Sequence, residues 1–180
     1  MWRMGKASAA AAIGAALLGA CSAASTDVHP QNFMDLLRAH RFSDAAEQFY
    51  YEPSHTPAQL AKDKADIVGF METLFREIGD IQRDAPLPAG AYTSWTVGIS
   101  GADHPFSASN VGADEARVVV YEVQLSREGR DWLQWQYVHV AGQWKVLKFE
   151  FAIPKSKPGG EQRIVALAVK LFPPEAHLVP

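Results

Sequence analysis

The sequence predicts an α+β domain: N-terminal helices, one of them long, packed on a curved antiparallel sheet of about four strands, then a short C-terminal helix. Three observations predict it. Residues 117–153 alternate in the manner of three consecutive strands. Residues 57–78 repeat apolar positions at spacings of three and four. Residues 161–172 do so again, just ahead of Pro173 and Pro174.

The strands read as Arg117–Leu125, Trp132–Val140 and Trp144–Ile153. Alternate side chains of a strand face opposite sides. Val119, Tyr121, Val123 and Leu125 therefore share a face, as do Leu133, Trp135, Tyr137 and His139, and Leu147, Phe149, Phe151 and Ile153. Residues 126–131 form one polar turn and residues 141–143 a tighter one. If both loops hold an odd number of residues, Tyr121, Trp135, Tyr137, Leu147 and Phe149 form one continuous face. That register buries the most aromatic surface. Ala91 to Ser100, with Tyr92, Trp95, Val97 and Ile99, reads as a fourth strand, and Asp80 to Gly90, with two prolines, as a loop.

The long helix is expected over Pro57–Ile78. Thr56 stands at the N-cap, Pro57 at the first helical position and Gln59 where a capping box needs it. Leu60, Lys64, Ile67, Val68, Met71, Leu74, Phe75 and Ile78 make the inner stripe, and Gly79 suits the C-terminal cap. Two short helices precede it: Phe33 to about His40, capped by Asn32, and Asp44 to about Tyr50, capped by Ser43. Glu161 to Phe172 reads as an amphipathic helix, with a further strand as the alternative because of Ile164, Val165 and Val169.

The chain divides into a leader (1–20), a small polar tether (21–30), the α+β domain (31–153) and a tail carrying the short helix (154–180). Arg3 and Lys6 are the only charged residues in the leader, which leaves 15 of the 17 Lys and Arg against 20 Asp and Glu. That balance is mildly acidic, so no nucleic-acid partner is expected. The apolar run from Ala7 to Ala20 is shorter than the roughly 20 residues of a transmembrane helix, and it suits a signal-peptide core. It ends in Leu18-Gly19-Ala20-Cys21, and Cys21 is the only cysteine. This resembles the bacterial lipobox. An ordinary secretory signal with an incidental cysteine is the alternative. The resemblance implies cleavage before Cys21, lipidation of its sulfur and a membrane anchor facing the periplasm. With Ser22 next, it implies the outer membrane in a Gram-negative cell.

The order of short helices, long helix and long meander is similar to the nuclear transport factor 2-like superfamily, a cone-like α+β fold. Arg41-Phe42-Ser43-Asp44-Ala45-Ala46 resembles the break between its first helices, and Gly142-Gln143-Trp144-Lys145-Val146 the start of a late strand. The resemblance covers about residues 31–153. It includes isomerases, cyclases and dehydratases beside binding and assembly modules, so fold does not decide function.

In such a fold the concave sheet face and the long helix usually enclose a pocket. Tyr121, Trp135, Tyr137 and Phe149 are the candidates to line it, and a filled aromatic core is the reading preferred. His139, Tyr137 and Tyr51 are the candidate catalytic residues, with Tyr50, Tyr51 and His55 closing one end. Enzymes resembling ketosteroid isomerase use a strand Asp base with a Tyr or protonated Asp donor. Here the strand acids Glu122 and Glu150 fall on the face opposite the aromatic row. No cofactor and no metal site is expected, although Asp103-His104 offers two ligand types. The sequence therefore points to a lipid-anchored binding or assembly module for an envelope protein or a small apolar ligand. A small-molecule enzyme is the alternative.

Overall fold

The computed structural model describes residues 30–88, 95–100, 108–154 and 156–172. The leader, Cys21 and the rest of the tether up to residue 29, and Asp103-His104 lie outside them. The chain order is α1 (Pro30–Arg38), α2 (Phe42–Ala46), α3 (Pro57–Ile78), β1 (Ile81–Pro86), β2 (Trp95–Ser100), β3 (Glu115–Leu125), β4 (Gly129–Val140), β5 (Gln143–Pro154) and α4 (Gly160–Leu171). The strands form one antiparallel sheet in the order β1-β3-β4-β5-β2. The class is α+β, as the sequence predicts.

The helix α3 has the expected ends. The Gln59 amide donates to Thr56 Oγ1, and the Thr56 amide donates to Gln59 Oε1 at 2.8 Å. Ile67, Phe70, Met71, Leu74, Phe75 and Ile78 are buried. Gly79 closes the helix at φ 86°, its N–H donating to the Phe75 carbonyl. The β3–β4 turn comes close there: a Cβ on Gly79 would stand 2.2 Å from Ser126 Oγ and 2.8 Å from the Arg127 nitrogen. The short helices differ from expectation. The first helix starts at Pro30, so Asn32 lies inside it, and α2 ends at Ala46 with no side-chain cap.

Residues 80–90 are not simply a loop, because they contain β1. Ile81 is buried, while Gln82, Arg83, Ala85 and Pro86 are exposed. Beyond Ile81 neither face of this edge strand is buried, so nothing imposes an alternating apolar pattern, and an edge strand tolerates a proline at its end. That is why periodicity did not reveal it.

The register of β5 also departs from the expected one. The β4–β5 turn holds two residues, Ala141 and Gly142, with φ 52° and 78°, as a type I′ hairpin requires. This even loop sets Tyr137 opposite Val146 and His139 opposite Trp144. Leu147 is then an extra residue, a bulge that shifts the register and sets Trp135 opposite Phe149 and Leu133 opposite Phe151. Val146 joins the central core, and Leu147, although buried, lies outside that cluster.

The core fills the space between the helices and one sheet face. Phe33 of α1 lies in T-shaped contact with Trp135 (5.2 Å between ring centroids), Phe49 (5.9 Å) and Phe149 (6.0 Å). Tyr121 stacks on Trp135 at 5.2 Å. On the other sheet face Val120, Trp132 and Ala152 form a second, smaller cluster with Leu87. The C-terminal segment is helical, and α4 buries Ile164 and Leu167 in the main core. Lys170 pairs with Glu77 of α3 at 2.5 Å, and Arg163 pairs with Glu128 of the β3–β4 turn at 2.5 Å.

Candidate functional site

The aromatic row forms a closed core. Trp135 is 0% exposed, Phe149 1%, Tyr137 2% and Tyr121 4%. Phe33 supplies the ring that packs against both Trp135 and Phe149. The Trp135 Nε1 and the Tyr137 hydroxyl are both buried without a hydrogen bond of good geometry among the described residues. Burial raises the Tyr137 phenol far above its ordinary value, and the neighbouring Trp135 N–H opposes the rise.

Open space lies elsewhere, in a cleft of about 430 Å³ between the segment after α2, the start of α3 and the β4–β5 hairpin. Its first wall begins where the chain leaves α2. The Tyr50 amide donates to the Val146 carbonyl and the Val146 amide donates to the Gln48 carbonyl, both at 2.8 Å. This short parallel bridge at Phe49 fastens residues 48–50 to β5. Tyr51 follows, and its hydroxyl donates to the Ala46 carbonyl at 2.7 Å. Burial, and then the charges of Glu47 and Asp63, push the Tyr51 phenol well above its ordinary value. Its hydroxyl is thus committed to the backbone, and its ring serves as a wall.

The second wall is the first turns of α3. Lys64 bonds both oxygens of Glu47 at 2.6 and 2.7 Å and lies 5.7 Å over the Tyr51 ring. His55 sits between two carboxylates: Nδ1 is 3.0 Å from Asp63 and Nε2 is 3.5 Å from Glu52. The Asp63 contact is close enough for an ion pair but falls short of hydrogen-bond geometry. Leu60 adds apolar surface. The third wall is Val140, Ala141 and Lys145 of the hairpin.

The three candidate catalytic residues stand in three different settings. Tyr51 lines the cleft and Tyr137 lies in the closed core. His139 is at the end of β4, with Nδ1 2.6 Å from Asp114 and its ring 5.2 Å from Trp144, over which Arg117 lies at 4.4 Å. The strand acids behave as the alternation implies: Glu122 pairs with Arg130, and Glu150 accepts from Gln134 at 3.2 Å. Sequence reasoning singled out Tyr50, Tyr51 and His55 as the end of a pocket but missed Lys64 and Lys145, which are lysines of ordinary spacing. The one available signal was Lys64, the only charge in the inner stripe of α3.

A larger open groove of about 740 Å³ runs along β1 and β3. Two of its carboxylates are paired: Glu122 with Arg130, and Asp84 with Arg38 from α1. Among the described residues, no group of three His, Cys, Asp or Glu is placed to hold a metal ion, and no helix is long and apolar enough to cross a membrane. No family model, curated protein or solved structure matches this chain.

Proposed function

We propose that this chain is a lipid-anchored binding module of the bacterial cell envelope, held by Cys21 and binding a small molecule in the cleft walled by Tyr51, Leu60 and Lys145. The observation that carries this reading is the position of the empty space. Phe33 occupies the interior that an enzyme of the cone-like class would use, and the apolar-lined opening lies at the rim instead. Ligand sites are concave and mostly apolar with a few polar groups, and their volumes start at about 300 Å³. The lipobox supports the anchor, and the order of helices and strands supports the nuclear transport factor 2-like resemblance. In a Gram-negative cell, Ser22 supports the outer membrane, facing the periplasm.

Two measurements test the proposal. Cys21→Ser is expected to move the protein from the membrane fraction to the soluble one, and unchanged membrane association counts against the anchor. Amide chemical-shift mapping with an envelope small-molecule extract is expected to perturb residues 49–64 and 140–145. Perturbations centred on Trp135 and Tyr137 would show that the interior opens, and would favour the enzyme.

A further inference from the structure

The cleft is lined by two lysines and two carboxylates, and one of the lysines has no side-chain partner among the described residues. Glu47 is held by Lys64 through both carboxylate oxygens. Glu52 lies against His55, which also meets Asp63. Lys145 is half-buried and lines the same cleft, and its side chain makes no hydrogen bond or ion pair among the described residues. A lysine usually keeps its ammonium in open water and lays only its stem on the protein. Here the residue lines a concave, partly apolar wall, where a charge-assisted hydrogen bond is worth more than at an open surface.

The surface around Lys145 is apolar. The Tyr51 ring is fixed by its hydroxyl bond to Ala46, and Leu60 and Val140 complete the wall. The turn beside it is held in an unusual conformation. Ala141 has φ 52°, a left-handed setting that a type I′ turn normally fills with Asn, Asp or Gly. A non-glycine residue in that region is strained, and such strain concentrates at ligand-binding segments.

From the unpaired cation beside an apolar wall we infer that the cleft binds a small amphiphilic carboxylate, its anionic head on Lys145 and its aromatic or short alkyl body against Tyr51 and Leu60. The inference rests on the cleft being the binding site and adds the ligand's chemical class. A body of one aromatic ring suits a volume of about 430 Å³. Larger lipids and polyanions do not match a single lysine without a side-chain partner among the described residues of the cleft.

The test uses the full chain in nanodiscs of neutral phosphatidylcholine, so that lipid charge does not compete. The probes are 3-phenylpropionate and its uncharged amide, titrated by calorimetry. The acid is expected to bind at least tenfold more tightly than the amide. Lys145→Met is expected to remove that preference, and Lys145→Arg to keep most of it. Unfolding midpoints of both variants are compared with the parent chain. Equal binding of acid and amide, or an unchanged acid affinity in Lys145→Met, overturns the inference. If Leu60→Trp then still abolishes binding of both probes, the cleft survives as the site without a preference for anions. If neither probe binds the parent chain, the inference is overturned, and the shift mapping with the envelope extract decides separately whether the cleft holds another small molecule.

Discussion

Lys157 grips both carboxylate oxygens of Asp131, at 2.7 and 2.8 Å, and Asp131 has no exposed surface at all. The Lys157 ammonium also donates to the Glu128 carbonyl at 2.8 Å. Lys157 lies between β5 and α4, so the pair ties the chain leaving the sheet back onto β4. With Arg163–Glu128 it fixes where α4 starts. Burial nevertheless dominates the acid. It pushes the Asp131 carboxyl up to about 6, against the pull of Lys157.

The shift has a direction in pH. The folded state holds the Asp131 proton up to about pH 6, whereas the unfolded chain releases it near pH 4. Folded protein therefore binds more protons within that window, and the contribution of Asp131 to stability falls as pH rises from about 4 to 6. A two-unit shift corresponds to about 2–3 kcal/mol. The difference between the unfolding free energies of parent and Asp131→Asn should change by that order across the window and be flat above pH 7. A flat difference throughout would show that the carboxyl is not raised. Lys157→Met should be most destabilising above pH 7, by about 3 kcal/mol, because it leaves a buried charge alone.

Phe33→Ala removes the ring that joins α1 to the sheet. Phe33 is fully buried and meets three aromatic rings. The expected loss is about 3–5 kcal/mol in urea unfolding. A loss below 1 kcal/mol would mean that the interior is not packed as described.

Tyr137→Phe tests the closed core. The hydroxyl is buried without a well-formed hydrogen bond among the described residues. Removing a buried, unsatisfied polar group is close to neutral or stabilising, by up to about 1 kcal/mol. Loss of more than that would reveal a bound water or another partner. Ligand affinity in the cleft should be unchanged, as Tyr137 does not line it.

Gly79→Ala should be among the most damaging small substitutions. Gly79 combines a positive φ with contact distances to the β3–β4 turn that leave no room for a methyl group. Its Ser126 neighbour accepts from the Asp80 amide at 2.8 Å, so the turn cannot retreat freely. A loss of about 2 kcal/mol or more is expected from thermal unfolding. Ala at Gly69, where no atom stands within 4 Å of the added carbon, is the control, and it should be neutral or slightly stabilising.

Several features of this protein were determined by sequence alone. The ends of α3 were legible because capping chemistry is local: Thr56, Pro57, Gln59 and Gly79 interact within a few residues of themselves. The three long strands were legible because a sheet face buried on one side imposes alternation on its own residues. The other outcomes needed the whole fold. The edge strand β1 carries no alternation, since neither of its faces is buried beyond Ile81. The place of Leu147 depended on a two-residue turn and a compensating bulge, and periodicity cannot count the residues in a turn. The closing of the concave face depended on Phe33, which lies 102 residues before Trp135 in the chain. The cleft, which Lys145 and Tyr51 line together, depends on where a helix exit and a hairpin meet. Such long-range contacts leave no local trace in sequence, because side chains far apart in the chain acquire their neighbours only when the sheet and helices pack.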